Sequence, residues 1–124
     1  MFNFAQTGKA WGGSAYNGAD HATKEAFHRA GMLRLRKLAA ALDMPAGTFD
    51  VRSNRAGMAV SGEVTLHGER IYVQVSHGGI CPGIMFRTCD GRRDYCGHRN
   101  HFAPLAELDN VDRLAARIRS TLGV

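Results

Sequence analysis

All three cysteines of this chain and three of its six histidines fall within residues 76–101, SHGGICPGIMFRTCDGRRDYCGHRNH. A zinc site needs four Cys or His ligands in tetrahedral array, usually as two close pairs. Cys96, His98 and His101 are spaced C-x-H and H-x-x-H, and Cys81 or His77 could complete the set. A small zinc-binding domain on Cys81, Cys96, His98 and His101 is therefore one reading. The spacing matches no zinc signature, so small or buried thiols and solvent-facing histidines are the reading preferred, with no metal and no other cofactor.

The same residues could serve covalent catalysis. A cysteine nucleophile needs a base within hydrogen-bond reach and a third group to orient that base. Cys96 with His98, or Cys81 with His77, could be drawn this way. No nucleophile elbow, zincin helix, dinucleotide fingerprint or P-loop accompanies them. Carboxylates are few and scattered, so no residue is assigned a catalytic role and the domain is expected to bind rather than to catalyse.

Charge supplies the binding candidates. Sixteen Lys and Arg against eleven Asp and Glu give a net +5, a balance that favours acidic partners. The excess lies in residues 1–43 and 77–124, with residues 44–76 neutral. Arg29, Arg36 and Lys37, then Arg92, Arg93 and Arg99, are the candidate nucleic-acid contacts. Arg113 and Arg117 add a stripe near the C-terminus. Clustered cations gain affinity for a phosphate backbone by releasing counterions, and Arg also offers a bidentate fork. No helix-turn-helix, zinc-finger or RNA-binding signature is present. DNA or RNA is the first expected partner. The alternative is a protein target, held by an inhibitor or adaptor module through an apolar patch.

The elements that must position these residues follow from hydrophobic periodicity. Residues 1–19, with Trp11 and Tyr16 among four glycines, read as an irregular arm. Residues 20–124 read as a single α+β domain. A helix is predicted over 21–42, capped by Asp20, with Phe27, Gly31, Leu35, Leu38 and Leu42 on its core face. Glu25, Arg29, Leu33, Arg36 and Lys37 fall on the opposite face, and Pro45 and Gly47 stop the helix. From Phe49 the period becomes two. Met58, Val60, Gly62, Val64 and Leu66 alternate toward a Gly68-Glu69 turn, after which Ile71, Val73 and Val75 continue the pattern. The register predicted places Leu66 opposite Ile71 and Val64 opposite Val73.

A second hairpin is predicted over 84–96 about Asp90-Gly91, with Phe86 facing Tyr95 and Arg87 facing Asp94. It would place Cys89 and Cys96 on one face but about 14 Å apart, too far to share a zinc ion. Residues 97–104 read as irregular, with Pro104 opening a short helical turn. Asp109 or Asn110 caps a final helix whose core stripe is Val111, Leu114, Ala115, Ile118 and Leu122, ended by Gly123. The expected architecture is an N-terminal helix, an antiparallel meander of four to five strands and a C-terminal helix, packed as a two-layer sandwich. No run approaches the 18–20 or so apolar residues of a membrane span. The N-terminus lacks the basic start and apolar run of a signal peptide. Three cysteines argue against a disulfide framework, so a cytoplasmic location without membrane contact is expected.

Residues 86–108, FRTCDGRRDYCGHRNHFAPLAEL, resemble a motif in small uncharacterised proteins of bacterial plasmids and integrative mobile elements. The pattern G-R-[RK]-D-Y-x-G-x-x-N is matched by Gly91, Arg92, Arg93, Asp94, Tyr95, Gly97 and Asn100. The resemblance implies an accessory role in transfer, maintenance or evasion of host defence. It also implies a structural role for the Gly91–Asn100 segment, because Cys96 and His98 occupy its variable positions.

Overall fold

The computed structural model describes residue 4 and residues 18–56, 61–77, 83–96 and 98–124, with side chains in the first helix from residue 24 onward. Trp11, Tyr16, Met58, Val60, Cys81 and Gly97, which entered the readings above, lie outside those residues. The first helix, α1, runs Gly18–Ala41. Strands β1 (Asp50–Asn54), β2 (Glu63–His67), β3 (Ile71–Ser76), β4 (Gly83–Thr88) and β5 (His101–Pro104) follow. A 3-10 turn (Leu105–Asp109) leads into α2 (Val111–Leu122). The sheet is an antiparallel meander in the order β1-β2-β3-β4-β5, so the α+β architecture with a helix at each end holds.

The helix α1 starts before Asp20, which therefore lies inside it and is not its N-cap. Its end is set earlier than Pro45 and Gly47. Asp43 takes the left-handed conformation with φ 58°. The Asp43 amide bonds the Ala40 carbonyl and the Met44 amide bonds the Ala39 carbonyl, at 3.0 and 2.9 Å. This is a Schellman closure, which pairs carbonyls that a helix end would leave orphaned. The helix α2 ends as its sequence reads. The Asn110 side chain accepts from the Arg113 amide at 3.2 Å, and Gly123 caps the other end with φ 71°.

Period-two alternation sorts the strands into two faces. Val51, Val64, Leu66, Val73, Val75, Ile84 and Phe86 face the helices. Phe27, Leu35 and Leu38 of α1 and Leu114 and Ile118 of α2 meet them in one core. Phe4, inside the segment read as an arm, is buried in the same core, its ring edge-on to Phe27 at 5.8 Å. Leu33 is 53% exposed, as its place outside the core stripe requires. No described helix is long and apolar enough to cross a membrane.

Two registers differ from expectation. In the first hairpin Leu66 pairs with Val73 and Val64 with Val75. The turn residues are thus Glu69-Arg70, flanked by Gly68 and Ile71, whose amide and carbonyl bond at 2.9 Å. The slip adds two to the sum of paired residue numbers, so every side chain keeps its face. Gly68 serves packing rather than the turn. A Cβ there would lie 3.2 Å from the terminal methyl of Met44.

The predicted 84–96 hairpin is absent. Strand β4 pairs instead with β5, Phe86 opposite His101 and Met85 opposite Phe102, so the stretch read as irregular supplies the edge strand. Asp90 lacks the positive φ that a type I′ turn requires. Side chain–backbone bonds capture the segment: Asp94 accepts from the Asp90 and Cys96 amides, at 2.9 and 3.3 Å. Local capture of this kind competes with a strand ladder.

Candidate functional site

The sheet divides the six cations singled out from the sequence. Arg29, Arg36 and Lys37 lie exposed on the outward face of α1, one stripe around exposed Leu33. None has a hydrogen bond or ion pair among the described residues. Between residues 24 and 41 the only carboxylate is Glu25, and Arg55 holds it in a two-pronged ion pair.

Arg92, Arg93 and Arg99 belong to the β4–β5 loop, whose Tyr95 packs on the opposite face of the sheet. Arg93 and Arg99 are exposed there. Arg92 is committed: its Nε and Nη2 donate to Asp50 at 3.2 and 3.1 Å, and its Nη1 donates to the Gly47 carbonyl at 2.7 Å. That clamp holds the Asp50 carboxyl below its ordinary pKa. The two sets therefore do not converge. On α2, Arg113 is unpaired among the described residues, while Arg117 bonds Glu107 at 2.7 Å and Arg119 bonds Asp43 at 2.7 Å.

The sheet face away from the helices holds a cluster that sequence reasoning missed. Asp50, His67, Tyr72 and Arg87 are successive partners across β1–β4 and so share one row. An uncovered antiparallel face is normally polar and wet. Here His67 is 0% exposed and Arg87 7%, beside buried Tyr72, Met85 and Cys89. The Arg87 guanidinium stacks 4.7 Å from the Tyr72 ring centroid. The His67 ring meets Tyr72 and Tyr95 edge-on, at 4.9 and 5.2 Å.

Arg52 donates to His67 Nδ1 at 3.4 Å, which places the ring proton on Nε2. That buried atom makes no well-formed hydrogen bond. Burial pushes the His67 pKa down, the Gly91 backbone partly offsets this, and the Arg52 and Arg87 cations lower it further. Burial also pushes up the Cys89 thiol, which donates to the Gly68 carbonyl at 3.3 Å.

The described Cys and His candidates are not gathered into one site. His101 stacks on Phe86 at 5.6 Å, within the helix-facing layer. Cys96 is exposed, and Cys81 lies outside the described residues. His98 turns to aspartates instead, its Nε2 3.0 Å from Asp90 and 3.9 Å from Asp94. Ligand atoms of Asp90, Asp94 and His98 lie within 4.8 Å of one another, but the loop's own bonds account for the grouping.

A second buried histidine joins α1 to the sheet. His28 is 0% exposed, its Nδ1 2.7 Å from Ser53 Oγ and its Nε2 2.6 Å from the Ser61 carbonyl. A carbonyl can only accept, so Nε2 carries the proton and Nδ1 accepts from the serine. A serine paired with a histidine resembles a nucleophile and base, but a wholly buried ring gives substrate no access. A cleft of about 460 Å³ is also lined by Leu42, Met44 and Ile71 together with Asp43, Glu69, Arg70 and Arg119. Comparison with protein-family models, with curated proteins and with solved structures finds no match to this chain.

Proposed function

We propose that this domain binds nucleic acid through the outward face of α1, as an accessory protein of a mobile element. One observation carries the reading: Arg29, Arg36 and Lys37 form a cationic stripe unpaired among the described residues, and Glu25, the one carboxylate between residues 24 and 41, is occupied by Arg55. Residues 29–37 span about 12 Å of helix at 1.5 Å per residue. Duplex DNA presents one charge per 1.7 Å or so of axis, so the stripe reaches several phosphates. Arg113, in the same helical layer, is a further contact. Arg92 is withdrawn from the set by its clamp on Asp50, and Arg93 and Arg99 lie beyond the sheet. The mobile-element role rests on the resemblance of the Gly91–Asn100 segment.

The test is fluorescence anisotropy with labelled duplex DNA and single-stranded RNA across a salt series. Three phosphate contacts give a slope of log K on log salt near −2 to −3. R29Q, R36Q and K37Q together should remove most of that slope, while R93Q with R99Q should leave it. Failure to bind either polymer at about 50 mM salt, or binding indifferent to the α1 substitutions, refutes the reading. A protein target is the second reading, favoured by the exposure of Leu33, Tyr95 and Phe102. It predicts a partner whose affinity barely changes with salt.

A further inference from the structure

We propose that the sheet face away from the helices carries an oxyanion site, in which Arg87 binds a phosphate or carboxylate group. Arg87 is 7% exposed, and its Nε is buried without a partner. It makes no hydrogen bond and no ion pair among the described residues. It stacks on the Tyr72 ring, 4.7 Å away. A cation–π contact steadies the charge but fills none of the five N–H donors of a guanidinium. Buried charges in folded proteins are normally paired. Among the described residues, no carboxylate lies within ion-pair distance of this one.

No acid closes an ion pair with it among the described residues. Asp50, three strands away in the same row, is held by Arg52 and Arg92. Asp94 feels the Arg87 charge, but its oxygens accept from the Asp90 and Cys96 amides. The row adds a second donor, His67 Nε2, for which the Gly91 backbone is a weak partner. Arg52 and Arg87 both act on His67 as cations and disfavour its protonation. Burial is the larger cause of the lowered His67 pKa, and Asp94 opposes the two cations. A planar guanidinium fork fits carboxylate and phosphate oxygens two at a time. The site lies across the sheet from the α1 stripe, so it stands or falls apart from the nucleic-acid reading.

The experiment is a proton–nitrogen NMR titration of the whole chain at constant ionic strength. Sodium phosphate, sodium acetate and a short single-stranded oligonucleotide are the probes, with sodium chloride as reference. Saturable shifts are expected at the Arg87 Nε–H and at the Tyr72 and His67 amides, and none at Arg36 or Lys37 with the two small anions. Saturation by phosphate alone identifies a phosphate ligand, and saturation by acetate alone a carboxylate. Displacement of either by the oligonucleotide identifies a polymer as the source.

R87M should weaken binding at least about tenfold, as loss of charged hydrogen bonds implies. R87K keeps the charge without the fork and should also bind more weakly. A measurement on the unaltered protein backs both variants: the bound oxyanion should raise the pH midpoint of the His67 ring resonance. Shifts no different from those with chloride, saturation undiminished in R87M, or a His67 midpoint that ignores the anion would overturn the proposal.

Discussion

Replacing His28 by Ala should cost about 3–4 kcal/mol of stability, a large share of the 5–15 kcal/mol typical of a domain. The substitution removes two buried hydrogen bonds, to Ser53 and to the Ser61 carbonyl. Each contributes a net 0.5–1.5 kcal/mol or so, and the stranded carbonyl adds its own desolvation cost. The vacated ring leaves a cavity between α1 and the sheet, which costs a further 1–2 kcal/mol or so. Urea unfolding monitored by circular dichroism measures the sum, as a lower midpoint at unchanged slope.

A pH arm isolates the imidazole. Burial is the main force lowering the His28 pKa below its ordinary 6.5. Neutral His28 thus supports the fold above the unfolded-state pKa, and that support is lost as pH falls toward the folded-state value. His67 and His77 act with the same sign, each lowered chiefly by burial. Between pH 7 and 5 stability should therefore fall, and His28→Ala should remove up to about 1.4 kcal/mol per pH unit from that slope. A loss below about 1.5 kcal/mol, or an acid slope no shallower than in the parent, would refute the assignment of His28 as a neutral, doubly bonded cross-link.

Gly62 has φ 70°, and a Cβ there would sit 2.4 Å from the Asn54 carbonyl oxygen and 2.9 Å from Arg55 Cα. Gly62→Ala should cost at least about 2 kcal/mol by thermal denaturation, since backbone must move on top of the left-handed penalty; a neutral result would contradict that close approach. Asn110→Ala removes the α2 cap and should cost about 1 kcal/mol, whereas Asn110→Asp should keep most of it. Maleimide labelling with peptide mapping at neutral pH should mark exposed Cys96 quickly and leave Cys89 unmarked until urea is added. Equal labelling of the two in the native protein would show that the Cys89–Gly68 contact does not protect the thiol.

The features legible in the sequence are those that local chemistry decides. Asn110 and Gly123 bracket α2 because capping needs only neighbours in sequence. The sides of β2 and β3 were readable because a slip of two residues leaves each side chain on its face. The β4–β5 loop was not readable. Asp90-Gly91 favours a turn locally, but the Asp94 carboxylate and the distant Asp50 draw the segment into other bonds. His28 did carry a signal, since the stripe Leu42, Leu38, Leu35, Gly31 extends by three residues to His28 as readily as by four to Phe27. His67 and Arg87 fall on the polar side of their strands, and alternation says only that such residues face away from the helices. That they are also buried depends on long-range packing around the β4–β5 loop, to which no spacing points.

That burial has a testable consequence for Arg87. Were its guanidinium a structural tie, Arg87→Met should destabilise the protein by several kcal/mol, as loss of a buried ion pair does. The structure gives it the Tyr72 ring, worth up to about 2 kcal/mol when desolvated, and the more distant charge of Asp94. Against that stands the cost of burying Nε without a hydrogen bond. In chloride buffer Arg87→Met should therefore be within about 1 kcal/mol of the parent, or more stable. In phosphate or acetate at 100 times Kd the parent alone should gain about 2.7 kcal/mol, because a ligand that binds only the folded state stabilises it by mass action. Differential scanning calorimetry in the two buffers separates the cases. A variant that unfolds far earlier in chloride, with no anion-dependent gain in the parent, would show that Tyr72 and Asp94 satisfy Arg87 and that the face binds no anion.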